Sequence, residues 1–274
     1  MFRTIMENVQ QKTPLIHCVT NYVTVNDVAN MLLACGGSPI MADDISEAAE
    51  MTGICNGLVI NIGTLNSRTI DSMISAGKRA NALGHPVVLD PVGAGASLLR
   101  TSTVFRLLDE VKFSVIRGNI SEIKTIYKGS GSTKGVDADI SDAVTKENLP
   151  EAIRFANELS KRTGAVIVIT GAIDIIVNGT KSFVIENGHP MMSKITGTGC
   201  MLTGVIAAYC AANPEMIWEA AACAVCAMGL CGEIAYEKVN QTGGGTSSYR
   251  MYLIDAMSKL DADSLERGKK IESR

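Results

Sequence analysis

Residues 194–204 read Lys-Ile-Thr-Gly-Thr-Gly-Cys-Met-Leu-Thr-Gly, a polar glycine turn that opens into an apolar run. Gly197 and Gly199 lack a Cβ, so backbone there approaches a ligand closely. The first N–H groups of a helix have no partner within it, and the helix dipole is positive at that end. A turn of this kind suits phosphate. The backbone from Gly197 through Thr198 and Gly199 to Cys200 is therefore a candidate anion hole, with Cys200 beside the anion. The alternative is a simple tight turn.

Three further candidates follow short apolar runs. Asp90 comes after Val-Val-Leu, where a carboxylate can hold Mg²⁺ or merely cap a turn. Arg117 begins Arg-Gly-Asn-Ile-Ser-Glu, and its planar fork suits phosphate oxygens. Within that segment Asn119 and Glu122 form an N-x-x-E pair. Glu122 either joins Asp90 at a water-bridged cation or is a helix N-terminal carboxylate favoured by the dipole. Thr170-Gly171 ends the strongest apolar run, and its hydroxyl and backbone either line a nucleotide phosphate or form a turn. Phosphoryl transfer needs a phosphate cradle, an acid that holds a cation, a positive group and a group near the acceptor hydroxyl. All four are present. A Walker A sequence and a protein-kinase H-R-D motif are both missing, so the chemistry points to another class of kinase.

These residues must be held by strands and helices. Apolar runs at 38–42, 58–62, 86–89, 113–116 and 165–170 read as buried strands. Segments 25–35, 46–51, 66–83, 97–109, 121–127 and 149–163 read as intervening helices. Strands at 173–178 and 182–186, joined by Asn178-Gly179-Thr180, form a hairpin that breaks the alternation and predicts an antiparallel edge. Helices follow at 200–211, 214–239 and 246–260, and the charged end, 261–274, is expected to fray. The fold class is α/β: a largely parallel central sheet with helices on both faces. Ligands of such sheets sit beyond the carboxyl ends of the strands. That rule singles out Met41, Asp43, Asp44, Asn61, Asp90, Arg117, Asn119 and Thr170. The Gly-, Ser- and Asp-rich stretch 129–142 reads as a mobile surface loop, a candidate lid or interdomain boundary.

Composition narrows the classes. The 274 residues are 46% apolar and only 4% aromatic, with 26 glycines and a net charge of −3. A basic tract of the sort that binds nucleic acid is missing. No run reaches the length of a membrane span, and the first residues do not read as a signal peptide. The expectation is a cytoplasmic protein. Cys223 and Cys226 form a C-x-x-C among eight cysteines, in an alanine-rich helical run without a nearby histidine. They read as buried structural thiols, not as a metal or redox pair.

The chain resembles the hydroxyethylthiazole kinase family of the ribokinase-like superfamily over nearly its whole length. The resemblance rests on Thr20-Asn21-Tyr22-Val23-Thr24-Val25-Asn26-Asp27-Val28-Ala29-Asn30, Ser38-Pro39-Ile40-Met41-Ala42 and Asn61-Ile62-Gly63-Thr64-Leu65. It continues through Leu89-Asp90-Pro91-Val92-Gly93-Ala94, Arg117-Gly118-Asn119, Glu122 and Gly197-Thr198-Gly199-Cys200. The resemblance implies one kinase domain over 1–274 that phosphorylates 4-methyl-5-(2-hydroxyethyl)thiazole with ATP in thiamine salvage. It implies thiazole contacts at Met41, Gly197 and Asn21, ATP contacts at Arg117 and Thr170, and Mg²⁺ organised by Asp90 and Glu122. It also implies a homotrimer with active sites at subunit interfaces. Cys200 stands where many ribokinase-like enzymes place an aspartate base, and cysteine is common there in this family. A helix N-terminus is expected to lower its thiol pKa. The alternatives are a nicotinamide-nucleotide hydrate dehydratase, a hydroxymethylpyrimidine or pyridoxal kinase, and a non-catalytic nucleotide-binding protein.

Overall fold

The computed structural model describes residues 1–129 and 143–274. Apart from Gly129, the candidate lid at 129–142 lies outside the described residues. Nine strands form one sheet: β1 (Leu15–Val19), β2 (Ser38–Ile40), β3 (Gly57–Asn61), β4 (Val87–Asp90), β5 (Val115–Asn119), β6 (Val166–Thr170), β7 (Asp174–Val177), β8 (Ser182–Ile185) and β9 (Ile271–Ser273). Their order is β2-β1-β3-β4-β5-β6-β7-β8-β9. All pairings from β2 to β6 are parallel, and those from β6 to β9 are antiparallel. The expected parallel sheet with an antiparallel edge is present.

The central strands are apolar because helices cover both faces. Every residue of β3 and β4 is buried. One face carries α1 (Phe2–Lys12), α2 (Val25–Ala34), α8 (Thr198–Ala212), α9 (Ile217–Thr242) and α10 (Thr246–Lys259) over a core that includes Ile16, Val59, Val88 and Val168. The other carries α3 (Ala48–Ile54), α4 (Ser67–Leu83), α5 (Leu98–Glu110), α6 (Ile120–Lys128) and α7 (Leu149–Thr163) over Leu58, Ile60, Leu89 and Ile167. Val59 and Ile60 thus face opposite cores, as alternation along a strand requires. The segment Pro214–Thr242 is apolar and long enough to cross a bilayer, but most of its apolar stretch is buried inside the fold.

Helix ends follow their capping residues. Asn66 and Thr69 form a capping box at the start of α4, and Asn119 and Glu122 do the same for α6. All eight cysteines are free, and Cys223 and Cys226 are buried as expected.

Both ends of the chain differ from the sequence expectation. The N-terminal segment, given no element in the sequence reading, forms α1 and β1, and β1 lies between β2 and β3 in the sheet. The C-terminus does not fray: α11 (Ala262–Gly268) packs on α1, and β9 pairs with β8. Ser182 and Arg274 exchange two backbone hydrogen bonds at 2.9 and 2.8 Å. Backbone pairing of a polar edge strand needs no apolar pattern, which is why composition does not reveal it.

Candidate active site

The site forms at the carboxyl ends of the parallel strands, and sheet register decides which residues meet. Asn61 is directly opposite Asp90 on β3 and β4, and Asn119 is opposite Thr170 on β5 and β6. The start of α8 lies over this row. Gly197 caps α8 with φ 87°, and a Cβ on it would fall 2.6 Å from Thr24 Cγ2. A Cβ on Gly199 would fall 2.4 Å from Arg117 Nη1. Glycine at 199 therefore lets the guanidinium lie against the turn. The first bond of the helix runs from Met201 N–H to the Gly197 carbonyl at 2.8 Å. The N–H groups of residues 198–200 thus precede the helical ladder and are directed outward from its start.

Asp90 is fully buried. Its Oδ2 accepts from Asn61 Nδ2 and from Thr203 Oγ1, both at 2.9 Å. Its Oδ1 has no hydrogen-bond partner, and Arg117 Nη1 stands 3.5 Å from it. Arg117 donates from Nη2 to Thr170 Oγ1 at 2.6 Å, whereas its Nε is also buried without a partner. Burial pushes the Asp90 pKa up, opposed by Arg117 and by the bonds from Thr203 and Asn61. A buried carboxylate and guanidinium with unfilled valences are costly unless a further charged group completes them.

Glu122 has the helix-cap geometry that was one of its two sequence readings. Oε1 accepts from Gly93 N–H at 2.9 Å and Oε2 from Asn119 N–H at 2.8 Å. Each oxygen keeps a second lone pair. Burial raises the Glu122 pKa, and the charge of Asp90 raises it further. Among the described residues no three His, Cys, Asp or Glu side chains are grouped to hold a metal. That is compatible with Mg²⁺, which commonly takes one or two carboxylates and completes its shell with water and phosphate. The orphaned Oδ1 of Asp90, close to a second carboxylate, fits such an ion.

Cys200 is the one cysteine of the eight that is not fully buried. Its Sγ accepts from Asn21 Nδ2 at 3.2 Å and from Asn61 Nδ2 at 3.3 Å. Burial is the largest influence on its pKa and raises it, and Asp90 adds to this, while contacts with Thr24, Asn21 and Asn61 oppose the rise. The expected lowering by the helix N-terminus is overturned. The thiol is protonated near neutral pH.

Beside the turn lies a cavity of about 770 Å³, lined by Arg117, Thr170, Asp174, His189 and Gly199 among others. Its volume suits a nucleotide-sized ligand. Burial raises the pKa of Asp174 to about 7, opposed by the Gly171 N–H and Arg117.

The structure thus joins Asn21, Asp90, Arg117, Thr170, Gly199 and Cys200 in one network. Glu122 adjoins it electrostatically. Met41 lies just past the end of β2 on the same rim, without a hydrogen bond to this network among the described residues. Thr203 and Asp174 also belong to the site, and sequence reasoning did not assign them to it, while Asn61 was singled out there without a role. Asn61 carried a signal, its position at the end of a buried strand. Thr203 reads as helix interior, and Asp174 as the start of a hairpin strand.

Comparison with known proteins gives the family of the chain. The hydroxyethylthiazole kinase family model matches residues 6–263. A hydroxyethylthiazole kinase from Clostridium acetobutylicum is 60% identical over 273 residues, covering 100% of both chains. The solved structure of the Pyrococcus horikoshii hydroxyethylthiazole kinase protein superposes with a TM-score of 0.88 at 31% identity, covering 100% of this chain and 98% of that one. A ribokinase-like superfamily protein from Enterococcus faecalis shares the fold alone, at a TM-score of 0.60 and 13% identity over 93% and 89% of the two chains. A family model over most of the chain and a full-length relative at 60% identity show that the chain belongs to the hydroxyethylthiazole kinase family.

Proposed function

We propose that the chain, as one kinase domain over 1–274, transfers the γ-phosphoryl group of ATP to the primary hydroxyl of 4-methyl-5-(2-hydroxyethyl)thiazole, a step of thiamine salvage. The observation that carries this reading is the pair of unfilled valences on Asp90 Oδ1 and Arg117 Nε, buried beside the start of α8. A polyphosphate with its cation completes both.

In this reading the ATP phosphates enter the cavity along Arg117 and Thr170. Backbone N–H groups from Gly197 to Cys200 form the anion hole for the transferring group. Asp90, and Glu122 through water, hold Mg²⁺, which neutralises phosphate charge when bound. Met41, Asn21 and Gly197 line the thiazole pocket. Cys200 faces the acceptor hydroxyl. The hydroxyl oxygen forms the new P–O bond as the bond to the β,γ-bridging oxygen breaks and ADP leaves. A loose transition state puts little demand on a strong base, so the neutral thiol orients the hydroxyl, and the hydroxyl proton passes late to an oxygen of the transferred phosphoryl group. The working form is a cytoplasmic homotrimer with active sites at subunit interfaces.

The test is a coupled ADP-release assay with MgATP and a panel of thiazole, pyrimidine and pyridoxine alcohols. Turnover of the thiazole alcohol alone is expected. Preference for a pyrimidine or pyridoxine alcohol would replace the substrate assignment. No turnover of any alcohol would transfer the reading to the dehydratase or to a binding protein.

A further inference from the structure

We infer that Asn61 is a positioning residue for the transfer: it ties the Asp90 carboxylate to the Cys200 thiol and sets the spacing between them. The inference rests on the reading that Cys200 meets the acceptor hydroxyl.

The orientation of the Asn61 amide follows from chemistry. Gly63 N–H lies 2.9 Å from Oδ1, and a backbone N–H only donates, so the oxygen must occupy that end. Nδ2 then faces the site. It makes two contacts and has two hydrogens to give. One goes to Asp90 Oδ2 at 2.9 Å and the other to Cys200 Sγ at 3.3 Å. Oδ1 also accepts from Asn21 Nδ2 at 3.0 Å, and Asn21 in turn reaches Cys200 Sγ at 3.2 Å. Asn21 is oriented the same way, since its Oδ1 accepts from Thr24 N–H at 3.2 Å. All four hydrogen-bonding valences of Asn61 are filled, and the residue is 1% exposed. Sheet register fixes its backbone opposite Asp90.

Two consequences follow for the reacting groups. The bonds from Asn61 and Thr203 occupy Asp90 Oδ2, so Oδ1 is the oxygen left for the site. The sulfur of Cys200 accepts two amide hydrogens, so a neutral thiol must direct its own hydrogen elsewhere. One amide nitrogen therefore orients the carboxylate on the phosphate side and the thiol on the acceptor side. Asn61→Leu keeps the branched shape, is somewhat bulkier, and removes all four bonds, including the two to Asp90 and Cys200.

A double-mutant cycle on the full-length protein tests this, with kcat and KM measured for MgATP and the thiazole alcohol. Asn61→Leu is expected to lower kcat about tenfold, the scale of a hydrogen bond to a charged group. KM for MgATP is expected to stay within about twofold, as befits a positioning effect. In a Cys200→Ala background the same substitution should cost clearly less, about threefold, because the link to the thiol is already absent there while the losses at Asp90, Gly63 and Asn21 are common to both backgrounds. Equal losses in both backgrounds, with Cys200→Ala itself impaired, overturn the inference and leave the reading of Cys200 intact. A Cys200→Ala enzyme with wild-type kcat overturns that reading and this inference with it. Circular dichroism checks folding, and should Asn61→Leu fail to fold, the smaller Asn61→Ser carries the same cycle with the same outcomes.

Discussion

Asp90 Oδ1 stands 3.5 Å from Arg117 Nη1, and it has no hydrogen-bond partner although it is buried. The two side chains attract across that gap without closing it, because Thr170 holds the guanidinium from the other side. An anion and a cation entering together complete both groups. Arg117→Ala should lower kcat/KM for MgATP about a hundredfold, the scale of removing a charge-assisted hydrogen bond from a dry site. Arg117→Lys should recover only part, since an ammonium cannot bond Thr170 and a phosphate with a fixed fork. Steady-state kinetics with varied MgATP checks both.

Asp90 should trade stability for activity. Its pKa is raised in the folded state, so the folded protein holds that proton more tightly than the unfolded chain does. Stability from this group is fully present below the ordinary carboxylate pKa and is lost as pH rises through the raised value. Once ionised, Asp90 therefore destabilises the ligand-free protein. Asp90→Asn should raise the ligand-free melting temperature where Asp90 is ionised, because it removes a charge that burial disfavours more than Arg117 favours. The same variant should lose more than about a hundredfold in kcat. Calorimetry with and without MgATP checks it: stabilisation by MgATP is expected in the wild type and largely absent in the variant.

Much of this geometry is legible in the sequence. Asp90 and Thr170 each follow an apolar run and end a strand, whereas β5 continues past Arg117 to Asn119, beyond the strand expected at 113–116. Asn119 and Glu122 form a capping box whose spacing is local. The glycine turn is local as well. Asn61 appears as a strand end, but its bridging role depends on the register Asn61 to Asp90, a pairing between residues far apart in sequence. Thr203 points at Asp90 only because α8 crosses above β4. The direction of the Cys200 pKa depends on non-local burial and on Asp90, which together outweigh the local helix dipole. The strand β9 is polar, and its partner β8 lies far back along the chain.

Asp174 gives a pH-dependent signature. Its pKa is raised from 3.8 to about 7, chiefly by burial. Its contribution to stability is fully present below pH 3.8 and is lost as pH rises to about 7. Asp174→Asn should flatten the decline in urea midpoint across that window. An unchanged slope would mean that Asp174 titrates normally.

Gly199 should tolerate no side chain. A Cβ there meets Arg117 Nη1 at 2.4 Å, so Gly199→Ala must push the guanidinium from Asp90 and Thr170. The expected outcome is a kcat/KM loss of about a hundredfold with a melting temperature only a few degrees lower. Gly197→Ala should be worse for folding, because φ is 87° there and the Cβ meets Thr24. Kinetics and thermal melts of the two variants separate these effects.

Cys200 should contribute modestly. Cys200→Ala is expected to lower kcat about tenfold, within the range for a group that orients or accepts a proton. Cys200→Asp should keep activity, since a carboxylate there can accept the hydroxyl proton. Wild-type kcat in Cys200→Ala would remove the orienting role assigned to the thiol.

The most direct measurement is phosphorus NMR of the protein with MgATP and 4-methyl-5-(2-hydroxyethyl)thiazole, followed until ATP is consumed. The proposed function predicts one new phosphomonoester resonance that grows in step with ADP. Release of inorganic phosphate alone, or intact ATP in the presence of the thiazole alcohol, would contradict it.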